Sequence, residues 1–161
     1  KQKTKQMWEY TRFIYSEVEF DLGWPTVENY FDLFHGCTPA NVYPQIPHCA
    51  IRLNVMGWEP RPASNSECDA MIALIRNWLE AGAGVICLGL DYQPSVHSDF
   101  RELVAICKVV ASYGGIYAAH QRYQTLGRKA AWEETLALSH QSNIPVHVSH
   151  ERVDKESAAL L

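Results

Sequence analysis

Short apolar runs alternate with longer amphipathic stretches along residues 51–161, and this alternation is typical of βα units that build a parallel sheet. Four apolar runs bounded by glycine, proline or polar residues predict buried strands at residues 51–55, 84–90, 115–119 and 144–149. Apolar positions at steps of three and four predict helices between them, at about residues 66–81, 98–113 and 129–142. Ser98 is the predicted N-cap of the second of these helices.

The order of these elements predicts an α/β fold, a partial (β/α)8 barrel of the TIM type with about four consecutive parallel βα units. Residues 1–50 are different, because they are irregular in pattern and rich in aromatic side chains, with one short helix predicted at residues 26–34. The predicted organisation is therefore a lead-in segment at residues 1–50 and the partial barrel at residues 51–161. The connections suit only neighbouring crossovers, so we expect the strands to pair in sequential order.

Composition and charge argue against two classes of protein. The net charge is -4 and the chain has no cluster of basic residues, which argues against a nucleic-acid partner. It also has no apolar run long enough to span a membrane. The five cysteines are an odd number without a CxxC pair, so we expect reduced thiols in a cytoplasmic protein. Cys87, which falls inside the second predicted strand, is expected to be a small buried residue.

Two histidines follow the predicted strands at the edge where parallel βα folds place their reacting groups. His120 closes the third strand and His150 follows the fourth, while strand alternation would turn His147 to the opposite face, toward the helices. Imidazoles at strand ends are common zinc ligands in barrel hydrolases. The alternative is that each is a hydrogen-bonded core or rim histidine, and the pattern leaves both open.

The loop after the second strand offers a carboxylate and a phenol at the same edge, from Asp91 and Tyr92. Asp91 could equally be a local cap of a turn. His48, just before the first predicted strand, carries a weaker signal.

Several stretches in order resemble the N-acyl-D-amino-acid deacylases. They are NVYPQIPH at residues 41–48, VMG at 55–57, LEAGA at 79–83, GLDYQP at 89–94, YGGIY at 113–117, AHQR at 119–122 and IPVHVSH at 144–150. The resemblance implies an amidohydrolase barrel that uses zinc to hydrolyse the amide of an N-acyl-D-amino acid. It also implies that His150 is a metal ligand, that His120 lies at or near the metal, and that Tyr92 faces the substrate.

The same resemblance makes Arg122 and Arg152 candidates to hold the substrate carboxylate through paired hydrogen bonds. Arg152 stands where the family often has lysine, which changes the donor geometry. The family's His-x-His-x-Asp motif, its zinc-binding cysteine, a further histidine ligand and the catalytic aspartate are expected to lie outside this chain. We therefore expect no catalytic residue within it, and at most a part of the metal site.

Three interpretations follow from the sequence. The chain is a portion of a metal-dependent deacylase whose partners are the remaining barrel segments or another chain, or it belongs to a hydrolase of other amides or cyclic amides. The third is a non-catalytic half-barrel that serves as a binding module, because an open arc of strands leaves edges and a face to be covered.

Overall fold

A computed structural model describes residues 2–15, 26–150 and 153–160. The chain divides into two compact units, Lys1–Pro44 and Gln45–Leu161. The division falls a few residues before the predicted boundary at residue 50, because a strand of the sheet already begins at Ile46. Among the described residues, no helix has both the length and the apolar character needed to cross a bilayer.

Within residues 2–15 and 26–44, the first unit has two helices, α1 (Gln2–Tyr15) and α2 (Val27–Asp32). The prediction of a short helix at residues 26–34 is confirmed, and the Thr26 hydroxyl caps it by accepting a hydrogen bond from the Asn29 amide at 3.2 Å. The segment at residues 2–15 was expected to be irregular, and that expectation is wrong. Its glutamine, lysine, methionine and glutamate side chains lose little rotamer freedom in a helix, so intrinsic propensity favours α1 despite the scattered aromatic residues.

The second unit alternates strands and helices. Its elements are β1 (Ile46–Pro47), α3 (His48–Met56), α4 (Asn65–Glu80), β2 (Val85–Gly89), a 3₁₀ turn (Ser95–His97), α5 (Phe100–Ser112), β3 (Ile116–His120), α6 (Tyr123–Leu126), α7 (Arg128–Ser142), β4 (Val146–Val148) and α8 (Lys155–Ala158). The four strands are parallel and pair in the order β1-β2-β3-β4. The predicted sequential order of a partial α/β barrel is confirmed.

The first strand is not where the sequence placed it. The run at residues 51–55 lies within α3, and the strand that pairs with β2 is Ile46–Pro47. The helix buries Ile51, Leu53 and Met56, with the polar side chain of Arg52 among them. A short apolar run fits a strand or a buried helix equally well, and a two-residue strand that contains proline gives almost no periodic signal.

The helices begin and end at identifiable residues. α4 starts with a capping box in which Ser64 and Glu67 satisfy each other's backbone amides. α5 is capped by Asp99, whose carboxylate accepts from the Glu102 amide at 2.7 Å, so the predicted cap at Ser98 is wrong by one residue. α7 ends at Asn143, whose left-handed conformation (φ 52°) closes the helix.

The two faces of the sheet differ in exposure. Ile46, Ile86 and Tyr117 share one face by register and are fully buried, as expected for the side covered by helices. Cys87, Ala118 and His147 are register partners on the other face, which we call the open face, and Cys87 and His147 are exposed there. The expected burial of Cys87 is therefore wrong, because its side of the sheet is uncovered.

Candidate metal centre

His120 and His150 meet at the carboxyl edge of the sheet. His120 is the last residue of β3 and His150 lies two residues beyond β4. His120 Nδ1 lies 3.1 Å from His150 Nε2, and the ring centroids are 4.9 Å apart. The prediction that these two histidines converge at the carboxyl edge of the sheet is confirmed.

The chain reaches this position by leaving the strand geometry after Val148. The Ser149 amide still donates to the Ala119 carbonyl at 2.9 Å, and His150 then adopts a left-handed conformation with φ 42°. Strand alternation therefore stops before His150, and it cannot relate that residue to His147. The prediction that His147 turns toward the helices is wrong, since its register partner Ala118 lies on the open face and His147 is exposed.

Aromatic rings and a carboxylate surround the His120 imidazole. The rings of Tyr92 and Tyr123 lie 4.7 Å and 5.1 Å from it between centroids. Asp91 Oδ2 lies 3.7 Å from His120 Nε2, and the Asp91 side chain is almost fully buried. Three sides of the ring are thus occupied by Tyr92, Tyr123 and His150, while Asp91 stands at the nitrogen that points away from His150.

These surroundings favour the neutral form of His120. Burial lowers the pKa of its imidazole, the nearby His150 lowers it further, and the Asp91 carboxylate raises it in part. A metal ion binds only the unprotonated nitrogen of a histidine. The lowered pKa of His120 therefore favours the form that could bind a metal ion.

Tyr92 stands on the loop that follows β2, next to His120. Its ring packs against the backbone of Gly89, where a Cβ atom would lie only 3.1 Å from Tyr92 Cδ2, so glycine makes room for the ring. The side chain is about half exposed, and its position beside the two histidines agrees with the expectation that it faces a ligand.

The two arginines singled out in the sequence have different outcomes. Arg122 is almost fully buried, and its guanidinium donates to Glu134 Oε2 at 3.1 Å and to the carbonyls of Val96 and Ser98 at 2.6 Å each. All three guanidinium nitrogens of Arg122 are hydrogen-bonded to protein atoms. This arrangement favours a structural role, in which Arg122 holds the 94–98 segment, rather than binding of a substrate carboxylate. Arg152 lies outside the described residues.

A buried polar network, missed in the sequence, holds the same loop from the other side. His48 Nδ1 lies 3.0 Å from Ser95 Oγ, and His48 Nε2 lies 3.2 Å from Glu102 Oε1. Arg52 donates to Glu102 Oε2 at 2.5 Å and to the Pro94 carbonyl at 3.0 Å. The four side chains His48, Arg52, Ser95 and Glu102 are fully buried.

The network had one detectable sequence signal, the spacing of His48 and Arg52. Four residues apart, they lie on one face of a helix and would need a shared polar partner once buried. That signal is invisible when residues 51–55 are assigned to a strand.

The geometry of the two histidines suits a metal ion. Two nitrogens bound at about 2.0–2.1 Å to a tetrahedral zinc ion lie about 3.4 Å apart, close to the separation observed here. His120 Nε2, the other ring nitrogen, is buried and has no hydrogen-bond partner. No cluster of three or more histidine, cysteine, aspartate or glutamate residues that could hold a metal ion occurs within residues 2–15, 26–150 and 153–160.

The chain is similar in sequence and structure to several deacylases. No family profile matches the chain. Individual proteins do match: a D-aminoacylase of Alcaligenes xylosoxydans xylosoxydans is 33% identical over 72% of this chain and 24% of its own length. An N-acyl-D-aspartate deacylase from the same organism is 33% identical over 74% of this chain and 24% of its length.

Solved structures agree with the sequence matches. A crystal structure of D-aminoacylase, described as a novel subset of amidohydrolases, superposes with a TM-score of 0.73 at 31% identity and covers 80% of this chain and 27% of that protein. The N-acyl-D-glutamate deacylase of Bordetella bronchiseptica superposes with a TM-score of 0.70 at 30% identity, over 75% of this chain and 26% of that protein. That protein is complexed with zinc and a phosphonate inhibitor, and another matching D-aminoacylase structure concerns a binuclear metal centre. The chain belongs to the N-acyl-D-amino-acid deacylases, a family of amidohydrolases, and spans about a quarter of the length of the members it matches.

Proposed function

We propose that this chain forms part of the zinc centre of an enzyme that hydrolyses the amide bond of N-acyl-D-amino acids, with His120 and His150 as two of the metal ligands. The observation that carries the proposal is the 3.1 Å separation of His120 Nδ1 and His150 Nε2 at the carboxyl edge of a parallel sheet. The relatives' names supply the substrate class, since they act on N-acyl-D-amino acids or their aspartate and glutamate forms.

The described residues of this chain would hold the metal ion and orient its histidine ligands. A bound zinc ion would lower the pKa of a water molecule toward 7 and polarise the acyl oxygen of the substrate. Burial lowers the pKa of His120, and the rings of Tyr92 and Tyr123 limit its rotation. Tyr92 presents its half-exposed side chain to the cleft, where a substrate would contact it.

The rest of the centre would come from outside the described residues. A catalytic zinc site has three protein ligands, and two are available here, so remaining barrel segments or another chain would supply the others and the base. The same segments would cover the open face that exposes Cys87 and His147. Arg152 stays a candidate for the substrate carboxylate, and we propose a cytoplasmic location from the five unpaired thiols.

Zinc titration followed by NMR tests the proposal at the level of single side chains. The ring signals of His120 and His150 should shift together as zinc is added, and His120→Ala should abolish the response of His150. His147→Ala is the matched control, because His147 is exposed on the same sheet but has no place in the pair. A zinc response confined to His147, or an unchanged His150 response in His120→Ala, would contradict the assignment.

A further inference from the structure

We infer that Asp91 is a positioning residue for His120: its carboxylate holds the proton of the imidazole on Nε2 and so leaves the Nδ1 lone pair for the ion. The inference rests on the proposed function for the identity of the ion, and on the geometry around Asp91 for everything else. It assigns a role to a side chain that the sequence left open between a site residue and a local cap.

The two nitrogens of His120 have different surroundings. Nδ1 lies 3.1 Å from His150 Nε2, on the side where the proposed ion would bind. Nε2 is buried and has no hydrogen-bond partner, and the acceptor facing it is Asp91 Oδ2 at 3.7 Å. That distance is longer than a hydrogen bond, but a small rotation of the His120 ring would shorten it to hydrogen-bond length. Hydrogen bonds at active sites are often long in the ligand-free protein and shorten when a ligand binds.

Asp91 is held in place from a direction that does not involve His120. Its Oδ1 accepts from the Thr125 amide at 3.1 Å and from the Thr125 hydroxyl at 2.7 Å, and its Oδ2 accepts from the Gln124 amide at 3.0 Å. The carboxylate therefore caps the first turn of α6, which lies 33 residues further along the chain. Asp91 is a long-range cap and a neighbour of the candidate ligand at the same time.

A carboxylate beside Nε2 determines which tautomer is stable. Neutral imidazole carries one N–H, and an ionised carboxylate can only accept, so the proton is favoured on the nitrogen that faces Asp91. Nδ1 is then an acceptor that can receive a hydrogen bond from His150 in the metal-free protein and coordinate an ion in its place. Partners of this kind fix the ring orientation of metal-bound histidines and raise their basicity.

The replacement Asp91→Asn separates this role from capping. Asparagine caps helices about as well as aspartate, so α6 should persist. Its neutral amide removes the negative charge that favours the Nε2–H form, and when its oxygen serves the Thr125 amide and hydroxyl, its NH₂ group lies toward His120 at the cost of the Gln124 bond. A donor at that position favours the other tautomer, with Nε2 accepting and the proton on Nδ1.

Nitrogen chemical shifts of the His120 ring in the metal-free 161-residue chain measure the tautomer directly. We expect the Nε2–H form in the wild-type chain, a predominantly Nδ1–H form in Asp91→Asn, and no change in Asp99→Asn, which makes the same replacement at the cap of α5. Zinc added to the same samples should bind Asp91→Asn about 10- to 100-fold more weakly than wild type.

The zinc titration and the tautomer measurement can contradict the two proposals independently of each other. If the wild-type chain does not bind zinc, the proposed metal function is wrong, and the tautomer of the metal-free ring still decides the role of Asp91. If wild type and Asp91→Asn share one tautomer, or wild type carries the proton on Nδ1, Asp91 is a helix cap alone and the inference is overturned.

Discussion

Arg52 and Glu102 form an ion pair in which both side chains are fully buried, with Arg52 Nη1 2.5 Å from Glu102 Oε2. The second carboxylate oxygen of Glu102 receives the Ser98 hydroxyl at 2.9 Å and faces His48 Nε2. Burying two charges is unfavourable unless the remaining donors and acceptors are also satisfied. Here α3, the 94–98 loop and α5 are joined through one carboxylate.

Glu102→Gln should therefore destabilise the protein strongly, by about 3–5 kcal/mol, because it leaves the Arg52 charge buried without its counter-ion. Urea unfolding followed by circular dichroism measures the change in the free energy of unfolding. Glu67→Gln is the matched control, since it removes the same charge from an exposed pair with Arg61 and keeps the capping box. Equal losses in the two variants would contradict a dominant role for the buried pair.

Acid should weaken the same network in a defined pH window. Burial alone would raise the pKa of Glu102, but hydrogen bonds and charge from His48 and Arg52 outweigh it and lower the pKa to about 2 from the ordinary 4.5. A carboxyl whose folded pKa is lowered stabilises the fold above its unfolded pKa and loses that contribution as pH falls toward the folded value. We expect the free energy of unfolding to decrease between about pH 4.5 and pH 2, and this slope to be smaller in Glu102→Gln. A parallel pH dependence in the two proteins would rule the network out as its source.

Gly115 permits a close approach between α5 and the sheet. A Cβ atom there would lie 2.6 Å from Val110 Cγ1 and 2.7 Å from the Gly84 carbonyl oxygen, and the backbone cannot move away without disturbing β2 and β3. Gly115→Ala should lower the free energy of unfolding by about 1–3 kcal/mol or more. Gly114→Ala is the neighbouring control, because its Cβ would meet open space and only its φ of 73° is unfavourable, at about 1 kcal/mol. Thermal unfolding that ranks Gly114→Ala as the more damaging change would count against this packing argument.

The 161-residue chain by itself should not hydrolyse N-acetyl-D-amino acids, even with zinc present. Within the described residues, the two proposed ligands have no third protein ligand grouped with them, and without a third ligand and a base they give neither tight metal binding nor a proton acceptor. A sensitive assay for the released amino acid checks this, with a zinc-only blank. Turnover that disappears in His150→Ala would show that the 161-residue chain is sufficient for catalysis.

The repeating βα units of the fold could be predicted from the sequence. The βα alternation gave three of the four strands and the helices α4, α5 and α7 within a few residues, because glycine, asparagine or capping residues bound them and apolar positions recur regularly in α4 and α5. It failed at β1 and α3, where a short apolar run fits either structure and tertiary contacts decide. It failed at α1, where helix propensity rather than pattern is the signal.

The residues of the candidate site that lie at the ends of strands could be placed from the sequence. The convergence of His120 and His150 follows from parallel topology alone, and the position of Tyr92 beside them follows from the same edge rule. The orientation of His147 did not follow, because a single left-handed residue at His150 ends the strand alternation on which the prediction depended. The partnership of Asp91 with α6 and His120 spans about thirty residues and has no local signature.

The loop beside the site is attached through main-chain oxygens. Arg52 holds the carbonyl of Pro94, and Arg122 holds the carbonyls of Val96 and Ser98. Every amino acid presents a carbonyl, so a replacement at Val96 keeps its bond to Arg122 as long as the backbone path is unchanged. A new side chain at position 96, whose amide bonds the carbonyl of the proposed substrate-facing Tyr92, therefore leaves the loop in place. This is a condition under which an enzyme lineage can acquire a different substrate preference without first losing its fold.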